Sequence, residues 1–122
     1  MKRKILIVED NVGLSQMQKD WLSQAGYDAV TAMNETIARS LIRRTQFDLI
    51  LSDVRLPEGD GISLLEWLRK EKKDIPFIIT TEYVSVPDVV RTIKLGAKDY
   101  LPKPVHREHL LELAEDVFRP VA

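Results

Sequence analysis

The sequence predicts a doubly wound α/β domain built from five successive strand–helix units, and three observations lead there. Short, β-branched-rich apolar runs without polar alternation recur along the chain, as strands covered on both faces require. Between these runs lie segments whose apolar residues follow helical spacing. Gly, Pro and Asn punctuate the junctions. Strands alternating with helices imply right-handed crossovers and a parallel sheet with helices on both sides. Five units are too few for an eight-stranded barrel, so an open sheet is expected.

The elements follow in order. Ile5-Leu6-Ile7-Val8 is a buried central strand. Leu14, Met17, Trp21, Leu22 and Ala25 then recur at helical spacing, and Gly26 supplies the stop. Asp28 to Ala32 is a second strand. Asn34 caps a helix whose apolar face is Ile37, Ala38, Leu41 and Ile42 and which ends near Arg44. Phe47 to Ser52 reads as another buried strand, and the segment with Pro57, Gly59 and Gly61 as loop. A third helix runs through Leu64, Leu65 and Leu68. Ile75 to Thr81 is the fourth strand, with Pro76 near its start, where a missing N–H is tolerated. Ser85-Val86-Pro87-Asp88 opens a fourth helix with Val89, Val90 and Ile93 on its buried side, ended by Gly96. Ala97 to Leu101 forms a short fifth strand. Leu110, Leu111, Ala114, Val117 and Phe118 mark the last amphipathic helix.

Composition narrows the function. A chain of 122 residues with 44% hydrophobic content suits one domain, here 1–122, with a single core. The absence of cysteine excludes a zinc–thiolate framework and a cysteine nucleophile. With 18 Lys+Arg against 19 Asp+Glu the net charge is −1, which gives no field to draw in nucleic acid or an anionic membrane. No apolar run approaches the roughly 20 residues that span a bilayer, and Met1-Lys2-Arg3-Lys4 leads straight into a strand. A cytoplasmic protein without a signal peptide is expected.

In an open doubly wound sheet the functional site lies at the carboxyl ends of the strands. The first strand ends in Glu9-Asp10, the third in Asp53 and the fourth in Thr80-Thr81, while Lys103 follows the fifth. Taken singly, each has a bland reading: Glu9 and Asp10 favour a helix N-terminus, and Asp53 suits a turn. Converging on one rim they acquire chemistry. Three carboxylates brought together repel unless a cation joins them, and a few hard oxygens with room for water and a phosphoryl oxygen suit Mg²⁺. Lys103 and a threonine hydroxyl supply donors for phosphoryl oxygens, and a carboxylate can accept a phosphoryl group as an acyl phosphate. By contrast, His106 and His109 stand three apart with no third histidine, a weak metal signal. Trp21 and Trp67 read as packing residues, and the mixed-sign run Arg69-Lys70-Glu71-Lys72-Lys73 as a solvated helix end. There is no Gly-rich phosphate loop.

The motifs Val8-Glu9-Asp10-Asn11, Ser52-Asp53-Val54-Arg55-Leu56-Pro57, Asp60-Gly61, Thr81 and Gly96-Ala97-Lys98-Asp99-Tyr100-Leu101-Pro102-Lys103-Pro104, in this order and spacing, carry a family resemblance. The chain resembles the receiver domain of bacterial two-component response regulators along nearly its whole length, most of all receivers of sigma-54-dependent activators. The resemblance implies the flavodoxin-like receiver fold with strand order 2-1-3-4-5. It implies Asp53 as phosphoacceptor, and Glu9, Asp10, Asp53 and the backbone carbonyl of Arg55 as ligands of Mg²⁺. Thr81 would be the switch hydroxyl, chosen over Thr80 by its spacing from Asp53 and Lys103. Lys103 would pair with phosphate, Tyr100 would change rotamer on activation, and the Lys103-Pro104 bond would be cis. The same resemblance implies a histidine kinase or phosphotransfer protein as partner and an output domain in a longer chain. It also implies a switching surface, and a homodimer contact, on the fourth helix, fifth strand and fifth helix, with Arg91, Lys94 and Lys98 exposed on or near it. Its only catalysis would be its own phosphorylation and dephosphorylation.

One residue departs from the family pattern. Receivers carry a small residue after the switch hydroxyl; here it is Glu82, whose bulk and charge bear on phosphate access. An alternative function is therefore a phosphorylation-independent interaction module in which Glu82 mimics or blocks activation. An FMN carrier would need a phosphate-binding loop where Glu9-Asp10 stands, and an aspartate-based phosphatase would want a second acid where Arg55 stands.

Overall fold

The computed structural model describes residues 2–82 and 85–120. Five strands, β1 (Lys4–Val8), β2 (Asp28–Ala32), β3 (Leu49–Asp53), β4 (Phe77–Thr81) and β5 (Asp99–Pro102), alternate with five helices: α1 (Val12–Gln24), α2 (Glu35–Arg44), α3 (Gly61–Lys70), α4 (Val86–Lys94) and α5 (Arg107–Phe118). The strands form one parallel sheet in the order β2-β1-β3-β4-β5. Both the five-unit alternation and the strand order agree with expectation.

Strand side chains alternate between the two faces, so each apolar run fills two cores. Leu6, Val8, Ile50, Phe77 and Ile79 pack under α2 and α3 with Ala38, Ile42, Leu64, Leu65 and Leu68. Ile5, Ile7, Leu49, Leu51 and Ile78 pack on the opposite face with Leu22 of α1 and Leu110 and Ala114 of α5. Each fully buried Ile, Leu or Phe contributes about 1.5–3 kcal/mol of apolar transfer. The sheet is therefore a rigid platform whose C-terminal edge holds its geometry.

Helix starts follow their sequence signals. Asn11, Asn34, Asp60 and Ser85 each accept a backbone N–H three residues on, the mark of an N-cap. Gly26, at φ +97°, stands just past the end of α1.

Three strands begin later than the apolar runs suggest. Phe47 is buried but precedes the pairing in β3, and Pro76 lacks the N–H that would extend β4. The expected helix faces also need correction. Ile37 in α2 is 39% exposed, while Val90 and Ile93 in α4 are 46% and 63% exposed. The buried side of α4 is centred instead on Thr92, a quarter turn or so away, with Val89 and Leu95 beside it. Thr92 can occupy the core because its hydroxyl bonds within the helix to the carbonyls of Asp88 and Val89, at 3.0 Å each, so no polar atom is stranded. In α1 the buried residues are Ser15, Gln18 and Leu22, and Met17 faces solvent.

Candidate functional site

The order β2-β1-β3 reverses the direction of winding between β1 and β3, and a crevice opens where the chain leaves these two strands in opposite directions. The side chains at this switch point are Glu9 and Asp10 after β1 and Asp53 at the end of β3. Their carboxylate oxygens come within 4.8 Å of one another. The cleft around them, of about 340 Å³, is lined by these three acids with Asn11, Leu14, Arg55, Thr81, Glu82 and Lys103.

Glu9 and Asp53 are placed by backbone. The Glu9 N–H donates to the Ala32 carbonyl of β2 at 2.9 Å, which fixes the β1 exit. Asp53 lies opposite Thr80 in the β3–β4 ladder. Gly61 is obligatory beside it: a Cβ there would stand 2.3 Å from the Asp53 carbonyl oxygen, so only glycine lets α3 begin this close to β3. Lys103 is carried in by β5, and its N–H donates to the Thr81 carbonyl at 3.0 Å. The Lys103-Pro104 bond is cis, as the resemblance implied.

The Lys103 ammonium donates to Glu9 Oε1 and to Asp53 Oδ2, at 2.7 Å each. The remaining oxygens are held from the other side: Asn11 N–H donates to Glu9 Oε2 at 3.0 Å and Arg55 N–H to Asp53 Oδ1 at 3.2 Å. Glu9 and Asp53 are both buried, whereas Asp10 is exposed at the mouth. Burial pushes the Glu9 carboxyl above its ordinary value; the Lys103 and Asn11 hydrogen bonds offset this only in part, and the Asp53 charge adds to it. Burial opposes the charge on Lys103 as well, yet its hydrogen bonds to Asp53 and Glu9 outweigh that and hold the ammonium above its ordinary value. A single cation thus offsets two buried anions, leaving Asp10 unmatched by it.

This donor set fits a hard divalent cation. It offers carboxylate oxygens from three residues, one of them open to water, with no soft ligand among them.

The other residues singled out in the sequence lie as follows. Thr81 lines the cleft and Thr80 does not. Glu82 also lines it while remaining exposed. Tyr100 is half-buried against α4, its hydroxyl bonded to Thr92 Oγ1 and, at 3.3 Å, to the Asp88 carbonyl. Arg91, Lys94 and Lys98 are exposed, and Arg91 pairs with Glu66 of α3. His106 and His109 are exposed and belong to no metal-capable group among the described residues. Asn11 stood out in the sequence only as part of the first motif; the structure shows that its side chain caps α1 and that its N–H orients Glu9.

Residues 5–115 match the family model described as the response regulator receiver domain. The chain belongs to that family. This receiver domain is 34% identical over 118 residues to the response regulator protein PilR of Pseudomonas aeruginosa, a match covering 97% of the chain and 26% of PilR. It is 37% identical over 114 residues to the transcriptional regulatory protein ZraR of Salmonella typhimurium, covering 93% of the chain and 26% of ZraR. It therefore spans about a quarter of these relatives' length. Among solved structures, the non-phosphorylated HemR receiver domain of Leptospira biflexa superposes with a TM-score of 0.89 at 37% identity, covering 99% of this chain and all of that one. A CheY-like receiver domain protein from Methanospirillum hungatei gives 0.90 at 31% identity, covering 96% of this chain and 94% of that one. Among the described residues no helix is long and apolar enough to cross a membrane.

Proposed function

We propose that this receiver domain is a phosphorylation-dependent switch in which Asp53 accepts a phosphoryl group from a phosphohistidine on a kinase or phosphotransfer protein. The observation that carries the reading is the Asp53 carboxylate, held at one oxygen by Lys103 and at the other by the Arg55 N–H, in a cleft shared with Glu9, Asp10 and Thr81. Transfer forms a bond from an Asp53 oxygen to phosphorus as the donor's N–P bond breaks. Lys103 moves from neutralising Glu9 and Asp53 to pairing with a phosphoryl oxygen, and the Thr81 hydroxyl donates to another. Glu9, Asp10, Asp53 and the Arg55 carbonyl would hold Mg²⁺, which when bound supplies positive charge against the carboxylates and the phosphoryl group. The presence of all five side chains, Glu9, Asp10, Asp53, Thr81 and Lys103, argues against a phosphorylation-independent module.

The readout follows from Tyr100. Its ring packs against α4 through Thr92 and Asp88, so a turn of Thr81 toward phosphate that draws Tyr100 inward would change how α4 seats. The α4-β5-α5 face is the surface we assign to a homodimer or to an output domain in a longer chain. Likeness to the transcriptional regulatory protein ZraR supports an output in transcription, and we assign it, on the resemblance of the motifs, to the sigma-54-dependent type acting in the cytoplasm. Enzymatic turnover beyond the domain's own phosphorylation and dephosphorylation is not part of the reading. The test is mass spectrometry after incubation with acetyl phosphate and Mg²⁺: the parent gains one phosphoryl group and Asp53→Asn gains none, whereas equal labelling of the two would end the proposal.

A further inference from the structure

The loop between β3 and α3 determines where the Arg55 N–H sits, and a residue from a different part of the fold holds that loop. Glu35 opens α2, where an acid would ordinarily remain in solvent and favour the helix N-terminus. Here it is buried, at 6% exposure, and reaches across to the far limb of the loop. Its Oε1 accepts the Asp60 N–H at 3.0 Å and its Oε2 accepts the Ser63 hydroxyl at 3.1 Å. Arg39, one turn along α2, pairs with the same carboxylate while its guanidinium lies 5.1 Å from the centre of the Trp67 ring. The buried carboxylate is thus met by three donors, from Asp60, Ser63 and Arg39.

The loop backbone is shaped around the carboxylate. Gly59 has φ +91°, and a Cβ there would fall 2.2 Å from Glu35 Oε1. Asp60, whose N–H Glu35 holds, forms an antiparallel bridge with Arg55. Arg55 in turn donates its N–H to Asp53 Oδ1 at 3.2 Å. A continuous path of backbone contacts therefore runs from Glu35 through Asp60 and Arg55 to the carboxylate of Asp53.

We infer that Glu35 is a positioning residue for the phosphorylation site: by clamping Asp60 it fixes the β3–α3 loop, and through Arg55 it sets the orientation of the Asp53 carboxylate. The inference rests on reading Asp53 as the reacting, metal-facing acid. Glu35→Ala should weaken Mg²⁺ binding about tenfold, the low end for groups that orient metal ligands from outside the coordination sphere. Glu35→Gln, which keeps an acceptor for the Asp60 N–H, should fall between that variant and the parent.

The experiment is a Mg²⁺ titration of parent, Glu35→Ala and Glu35→Gln followed by amide shifts, together with hydrogen exchange of the Arg55 and Asp60 amides in metal-free protein. The expected result is weaker binding and faster exchange at both amides, in the order Ala, Gln, parent, with exchange in β1 and β3 unchanged. A folded Glu35→Ala that melts earlier yet keeps parental Mg²⁺ affinity and parental Arg55 exchange would overturn the inference and leave Glu35 a packing residue. Failure of the parent itself to bind Mg²⁺ would overturn the reading of the site instead, and the metal-free exchange separates the two. Should Glu35→Ala not fold, Ser63→Ala removes one of the donors that orient the carboxylate and is read the same way, with a smaller weakening expected.

Discussion

Removing the Lys103 ammonium sets two buried acids directly against each other. In Lys103→Met the unbranched stem can still fill the space beside β5, but the ammonium that lay 2.7 Å from both Glu9 and Asp53 is gone. Two carboxylates with oxygens within 4.8 Å then repel by about 3 kcal/mol at an effective dielectric near 20. That matches the ~3–5 kcal/mol typical of breaking a buried pair on one side only, and it is a large share of the ~5–15 kcal/mol that holds a domain folded. The variant can escape part of the cost by taking up a proton, and Glu9, whose carboxyl burial already holds above its ordinary value, is where it goes.

The sign of the pH dependence follows. A carboxyl whose folded pKa is raised costs nothing below its unfolded pKa, and the cost grows as pH rises through the folded one. The stability gap between parent and Lys103→Met should therefore be small in acid and full at neutral pH. A divalent cation placed among Glu9, Asp10 and Asp53 no longer competes with an ammonium, so Mg²⁺ should stabilise the variant more than the parent. At a hundred times its Kd the ion contributes about 2.7 kcal/mol, enough to recover most of the loss. Urea unfolding of both proteins in acid and at neutral pH, each with EDTA and with millimolar Mg²⁺, reads all of this. Equal stability of the two proteins at neutral pH in EDTA, or equal Mg²⁺ increments, would refute the reasoning.

Asp10→Asn, at the exposed mouth of the cleft, should weaken Mg²⁺ binding while leaving the melting temperature of metal-free protein the same or higher, since it removes a like charge from the cluster; calorimetric titration and a thermal melt test both. Mg²⁺ affinity of the parent should fall on acidification earlier than an ordinary glutamate at 4.5 would dictate, because protonation of Glu9 competes with the ion; titrations across the acid range would show the midpoint, and a midpoint at or below 4.5 would count against it. Glu82→Ala should speed labelling of Asp53 by acetyl phosphate, most at low ionic strength, because a carboxylate lining the cleft repels an anionic donor by about 1 kcal/mol per charge pair in water and salt screens it. Equal rates at two salt concentrations would make Glu82 irrelevant to the chemistry.

The parts of the fold that were legible in the sequence are those set by strong local rules. Uninterrupted apolar runs such as Ile5–Val8 allow only strands buried on both faces, and Asn34 or Ser85 before a helical stretch allows little but a cap. The rim residues were legible for the same reason, because in a parallel sheet every strand's end projects to one edge, and knowing the strands is enough to bring Glu9, Asp53, Thr81 and Lys103 together. What escaped was whatever depended on which side of a helix the tertiary structure turned inward. In α4 apolar spacing pointed to Val90 and Ile93, but the core took Thr92, whose hydroxyl is satisfied by its own helix and by Tyr100.

Glu35 escaped for a related reason. An acid in a first turn after Asn34 has a sufficient explanation in the helix dipole, and nothing local distinguishes one that stays in water from one that crosses to the next loop. Its partner, the Asp60 N–H, lies 25 residues away and carries no side-chain signature at all. Side-chain chemistry at the strand ends can thus be read from the order of residues, whereas the backbone contacts that aim those side chains become visible only once the loops are folded. For Asp53 the distinction is concrete: its identity follows from ending β3, but its orientation depends on Arg55, Asp60 and a glutamate on another helix.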